Sequence, residues 1–160
     1  MKVLSLWQPW ASAIARGAKT IETRHWATSY RGPLAIHAAK RKVKYELIDI
    51  GSCWNWCAAL GITMGSGYLG DSLPFGAIVA VCTLVDCKST ESFTQGELDT
   101  HHCPPVATAP NSIYTWTERM MGDFSLGRFG WVLKDIRPLP EPIPYRGQQG
   151  LFEIPDELIL

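Results

Sequence analysis

Pro138, Pro140, Pro142 and Pro144 fall at every second residue, and this run constrains the fold more than any other stretch. Proline has no amide hydrogen and a fixed φ, so the run forbids a helix and a central strand alike and leaves an extended edge segment. It follows a strand-like stretch, Arg128 to Ile136, rich in aromatic and β-branched residues. It therefore delivers Tyr145-Arg146-Gly147-Gln148-Gln149-Gly150 to a defined place. Two glycines around two amides and an arginine suit a ligand loop, after which Leu151, Phe152 and Ile154 return the chain to a core.

The remaining elements read in order. Lys2 to Leu6 alternates as a short strand. Residues 9 to 16 form an amphipathic helix, with Pro9 at its first position, Trp10, Ala13 and Ile14 on one stripe, and Gly17 as a left-handed stop. Thr20 to Trp26 is a strand, and after the turn Tyr30-Arg31-Gly32-Pro33 a second one runs from Leu34 to Ala39. Val43, Leu47 and Ile50 mark a helix that begins at Lys40 and ends at Gly51. Residues 52 to 75 mix Trp54, Trp56 and Tyr68 with glycines, which suggests a short helix and then a flexible loop. Gly76 to Val85 is apolar on both faces, hence a central strand, with Asp86 closing it. Residues 94 to 110 read as loop with at most one helical turn, and Ile113 to Met121 as a further helix. Strands dominate and no βαβ period repeats. The expectation is a mixed α+β chain, one small barrel domain over residues 1–160 with short peripheral helices.

Composition limits the functional classes. With 46% hydrophobic and 19% charged residues the chain is globular, and no apolar run reaches the length of a membrane span. The start, Met1-Lys2-Val3-Leu4-Ser5, lacks the apolar stretch of a secretory signal, so a cytoplasmic protein is expected. Five cysteines are then reduced thiols. Cys53, Cys57, His101, His102 and Cys103 do not follow the spacing of a zinc ribbon or knuckle, so neither metal nor cofactor is expected. Net charge is zero, but residues 1–50 hold nine Lys or Arg against Glu22, Glu46 and Asp49. That asymmetry predicts one basic face suited to a local anionic ligand rather than to strong nonspecific binding.

The site-bearing stretch is Gly17-Ala18-Lys19-Thr20-Ile21-Glu22-Thr23-Arg24. Charges set this closely need partners if they are buried. Period two puts Glu22 and Arg24 on one strand face, while Lys19 joins them only from the turn after Gly17, outside regular strand geometry. Read on its own, the pattern also allows an exposed Glu22/Arg24 ion pair of little energetic value. His37, opposite Leu34, Ile36 and Ala38 on its strand, stands near this stretch or serves the core.

The stretch matches the G-x-K-x-x-E-x-R signature of the ASCH domains, with Gly17, Lys19, Glu22 and Arg24 in its four specified positions. The chain also resembles that family in its Trp-Gln-Pro-Trp opening, its Tyr-Arg-Gly turn before a His-bearing strand, its apolar Gly76 strand and its late Arg-Gly-Gln-Gln-Gly segment, as in bacterial and phage members. The resemblance implies a PUA-like β-barrel whose cleft holds Lys19, Glu22 and Arg24, with RNA or nucleotide binding as the general expectation. Some small relatives are amidohydrolases that deacylate modified cytidine with a Lys and a Thr of this stretch and a later Glu. Lys19 matches, but Glu22 stands where that Thr would be, Thr20 and Thr23 lie out of register, and no later Glu can be assigned. Other relatives resemble metal-dependent ribonucleases, and no dense carboxylate cluster for Mg²⁺ stands out here.

Two main readings follow. In a binding module, Lys19 and Arg24 take a phosphate or base edge, Glu22 accepts from an exocyclic amine, and Trp7 or Trp131 stacks. Arg31, His37, Arg146 and Gln148 complete that candidate set. In a hydrolase, Lys19 activates water or Thr20 while Glu22 shuttles a proton. A protein-interaction scaffold is the third reading. One charged cluster without a recognisable nucleophile and base favours binding, with RNA, a nucleotide or a nucleoside as partner and no membrane.

Overall fold

The computed structural model describes residues 1–41, 60, 73–100 and 117–159. The expected helix after Lys40, nearly all of the Trp- and Gly-rich segment that follows it, and the cysteine–histidine set lie outside the described residues.

Among the described residues six strands form one sheet: β1 (Lys2–Leu6), β2 (Ile21–Arg24), β3 (Gly32–Ala38), β4 (Ala77–Ser89), β5 (Phe129–Pro144) and β6 (Leu151–Glu153). Their order is β2-β5-β4-β3-β1-β6. β1 and β3 are parallel and every other pairing is antiparallel. The sheet curls into a half-barrel, with few and short helices around it. α1 (Trp10–Ala15) is followed by one-turn helices at Gln95–Leu98 and Glu118–Met121. No helix among the described residues is long and apolar enough to cross a membrane.

Strand alternation explains the two sides of the sheet. Leu4, Leu6, Leu34, Ile36, Leu84, Trp131 and Leu133 form the inner core, onto which α1 lays Ala11 and Ile14. Val3, Ala35, Ile78 and Val81 point the other way and meet Phe152 and Ile154, so the closing segment is pinned as expected. Full burial of residues such as Leu34 and Ile36 is worth about 1.5–3 kcal/mol each.

β4 is central, between β5 and β3, but does not end at Asp86. Asp86, Cys87, Lys88 and Ser89 continue the ladder against Val132, Trp131, Gly130 and Phe129. Val85 is the extra residue of a bulge that keeps the pairing going, and so a polar residue does not close the strand. Among the described residues β2 pairs with Phe129–Val132 of β5, and the Leu133 amide donates to Thr20 O at 2.8 Å, so only this first part of β5 has neighbours on both sides. The proline half, with β4 on one side, is the expected edge. Its four residues 139–142 bow out opposite Val79 alone. A second irregularity lies at Asp135, whose φ of 52° is a left-handed conformation that Asp tolerates better than most side chains.

Candidate functional site

The approach to the site is fixed by how α1 starts and stops. Pro9 is the residue before the helix rather than its first member. The cap is supplied by buried Gln8, whose Oε1 accepts from Ser12 N at 3.1 Å while its Nε2 donates to Ser12 Oγ at 2.8 Å and to Pro74 O at 2.7 Å. At the other end Gly17 takes φ 72°, Gly17 N donates to Ile14 O at 2.8 Å and Ala18 N to Ala13 O at 2.9 Å. This Schellman closure requires a residue at ease in the left-handed region, which explains the glycine of the signature. It also drops Lys19 into the interior two residues before β2 begins.

Lys19 is fully buried. Its ammonium donates to Ile21 O and stands 3.6 Å from Glu22 Oε2, while Arg24 Nε lies 3.3 Å from Glu22 Oε1. The three charges therefore converge, as the signature implied, with Lys19 outside regular strand geometry. Glu22 is flanked by two cations, leaving the trio one positive charge in excess. Arg24 Nη2 donates to Ser5 O at 2.7 Å, whereas its buried Nε has no hydrogen bond. The nearby carboxylate is close enough to attract it but out of line with the N–H.

Glu22 and Arg24 line a cleft of about 460 Å³ together with Ser5, Trp7, Met121 and Arg128. That volume lies in the range that holds a nucleobase or nucleoside. Lys19 does not reach it: the side chain sits behind Glu22 and holds that carboxylate in place. Trp7 is 48% exposed on the cleft wall, with the Arg41 guanidinium 5.0 Å from its ring centroid.

A second, larger groove of about 1300 Å³ shares Ser5, Trp7 and Arg24 with the first. Its floor carries His37. Tyr145 O can only accept, so the 3.0 Å contact with His37 Nε2 makes that nitrogen the donor, and Nδ1 accepts from Ser5 Oγ at 3.0 Å. Burial holds the His37 pKa below its usual value, against the opposite pull of the Tyr145 carbonyl. The neutral ring fits this bonding. His37 thus reaches Arg24 through Ser5 and makes no contact with Glu22. Gly147 presses on the same pair: a Cβ there would stand 2.8 Å from both His37 Nδ1 and Ser5 Oγ. Arg146 and Gln148 of the expected ligand loop line this groove.

Like Lys19, three further candidates lie off both cavities. Trp131 is wholly buried in the inner core, where it meets Trp26 edge-on at 4.7 Å and donates to Trp26 O at 3.3 Å, so its face cannot stack on a base. Arg31 lines neither cavity: it pairs with Asp86 at 3.0 Å and donates to Thr28 O and Tyr30 O, bracing the turn. Thr20 lines neither as well, and its hydroxyl donates to Glu118 Oε1 at 2.6 Å. The basic excess of the first 50 residues is also partly spent inside the fold. Lys2 pairs with Glu153, Arg31 with Asp86 and Lys19 with Glu22. Among the described residues Arg24, Lys40 and Arg41 carry that excess to the two cavities and their rim.

Glu118 is the residue that sequence reasoning missed. It is fully buried and accepts from Thr20 N, Thr20 Oγ1 and, at 3.2 Å, Ile21 N. It thereby anchors the start of β2 from a helix 98 residues away in the chain. The only hint was an acid in the first turn of a short helix, which ordinarily signals a solvated end. Among the described residues no group of three His, Cys, Asp or Glu side chains could hold a metal ion.

The ASCH domain family model matches residues 4–126. Over 93 residues the chain is 32% identical to activating signal cointegrator 1 of Homo sapiens and, equally, of Mus musculus. The match takes in 58% of this chain and 15% of each relative, so the chain spans a small part of their length. Among solved structures, ASCH from Zymomonas mobilis is 13% identical, with a TM-score of 0.49 over 99% of this chain and 90% of that one. A single-substitution variant of it gives 0.48, covering 99% and 92%.

Proposed function

Because the chain belongs to the ASCH domain family, we propose that the cleft beside Glu22 and Arg24 binds a nucleotide, free or within single-stranded RNA. The observation that carries this reading is the pairing of an anchored carboxylate, Glu22, with the Arg24 guanidinium, both on the wall of a cavity of nucleobase size. Glu22 accepts from a base amine, Arg24 donates to a carbonyl or phosphate oxygen, and the half-exposed Trp7 ring offers stacking area. Lys19 orients Glu22 and does not touch the ligand.

Binding is favoured over hydrolysis by the same geometry. The Lys19 ammonium is engaged with Ile21 O and Glu22, and the Thr20 hydroxyl with Glu118, so neither is presented to a substrate in the cleft. The test is titration of the protein with short single-stranded RNAs and with mononucleotides at low salt. Arg24→Ala and Glu22→Gln are each expected to weaken binding about tenfold, the size of one charge-assisted hydrogen bond. An absence of binding to any of them by the parent protein removes the proposal.

A further inference from the structure

The two cavities differ in charge, and the difference suggests how a ligand lies across them. The cleft at Glu22 is mixed: Glu22 and Asp123 face Arg24 and Arg128, and Asp123 is paired with Arg128 at 3.3 Å. Among the described residues the larger groove has no acidic side chain on its wall. Arg24, Lys40 and Arg146 line it with neutral His37 and the amide-bearing Gln148. A mixed lining of both charge signs suits a base edge, and a lining whose charged groups are cations suits a phosphate backbone. Arg24 belongs to both walls, with Ser5 and Trp7 beside it, so the cavities meet at a side chain able to hold the phosphate between them.

We propose that the site takes a strand rather than a single nucleotide, with a base in the cleft beside Glu22, the adjoining phosphate at Arg24, and the next sugar–phosphate unit in the groove lined by Lys40 and Arg146. This rests on the nucleotide-binding reading above and extends it. The volume of the groove supports the same conclusion. The groove alone, at about 1300 Å³, exceeds what one nucleotide fills, and its loop wall at residues 145–150 is held to the sheet by the His37–Tyr145 bond and the close seat of Gly147. The loop is therefore a built wall, and Arg146 is delivered at a fixed place along it.

The experiment compares 5′-mononucleotides with di- and tetranucleotide RNAs of each base, on the full chain and on the Lys40→Ala and Arg146→Ala variants, over a range of salt. The parent protein is expected to bind its preferred tetranucleotide at least about tenfold more tightly than the matching mononucleotide. In each variant that ratio should fall several-fold, and the slope of log affinity against log salt should flatten by about 0.7 for each phosphate no longer neutralised. Circular dichroism confirms that each variant is folded, and having two separate variants guards against one that is not. If the mononucleotide binds as tightly as the tetranucleotide, or if both variants keep the parent's ratio and slope, the strand proposal is overturned while nucleotide binding in the cleft stands. If the parent binds neither, both fall together.

Discussion

The buried carboxylate of Glu118 offers the sharpest quantitative test. It is the acceptor for two main-chain amides, Thr20 N and Ile21 N, and for the Thr20 hydroxyl, at the point where the chain enters β2. Truncation in Glu118→Ala leaves these donors short of an acceptor in a site closed to water. Each buried donor left unsatisfied costs about 1–3 kcal/mol, and allowing for partial relaxation the expected loss is about 3–5 kcal/mol. Glu118→Gln keeps one oxygen for the Thr20 pair and loses the Ile21 acceptor, so about 1–2 kcal/mol is expected. For a domain of this size the Ala variant should then melt on the order of 10 °C lower. Urea unfolding followed by tryptophan fluorescence gives both free energies. An Ala variant within about 0.5 kcal/mol of the parent, the scatter of ordinary surface changes, refutes the assignment of Glu118 as the anchor of β2.

Other expectations follow from the same contacts. Gly147→Ala should push the 145–150 loop off His37 and Ser5, costing about 1–3 kcal/mol and weakening any tetranucleotide binding, which calorimetry and titration measure together. Because burial lowers the His37 pKa, the unfolded chain binds the extra proton first. His37 therefore contributes stability that is whole above about pH 6.5 and declines as the pH falls from there towards the lowered value. A His37→Gln variant should lose that part of the pH dependence in denaturant melts. The Glu97 carboxyl, pulled down to about 2 mainly by its bond from Lys88 and also by Thr94, should titrate there by NMR and return towards 4.5 in Lys88→Ala. The Cys82 thiol, pushed up to about 12 by burial, should stay unmodified by thiol reagents in the folded protein, as peptide mass spectrometry would reveal.

What the sequence disclosed depended on whether a property was local. The Gly17 stop, the shared face of Glu22 and Arg24, and the turn position of Lys19 are all consequences of backbone geometry within eight residues, and all were legible. The edge character of the proline run was equally local. Trp131 was misjudged because an aromatic in a strand looks the same whether its face meets solvent or Trp26, and only the pairing with β2 and β4 decides. Asp86 looked like a strand end because the bulge at Val85 is defined by the partner strand. Glu118 was invisible for the opposite reason: its role lies entirely in contacts made across 97 and 98 residues of chain. The basic asymmetry was real, but the sequence could not say which cations the fold would neutralise from afar.

The bowed proline half of β5 has a consequence for how these molecules behave at high concentration. A curled sheet that does not close exposes a margin, and a margin with a full row of amide donors invites a neighbouring molecule to add a strand. Here alternate residues along that margin carry no amide hydrogen, and the four residues 139–142 swing away from the ladder opposite Val79. Intermolecular strand addition is thus blocked by composition and by shape at once, which lets the half-barrel stay open around its cavities without recruiting copies of itself.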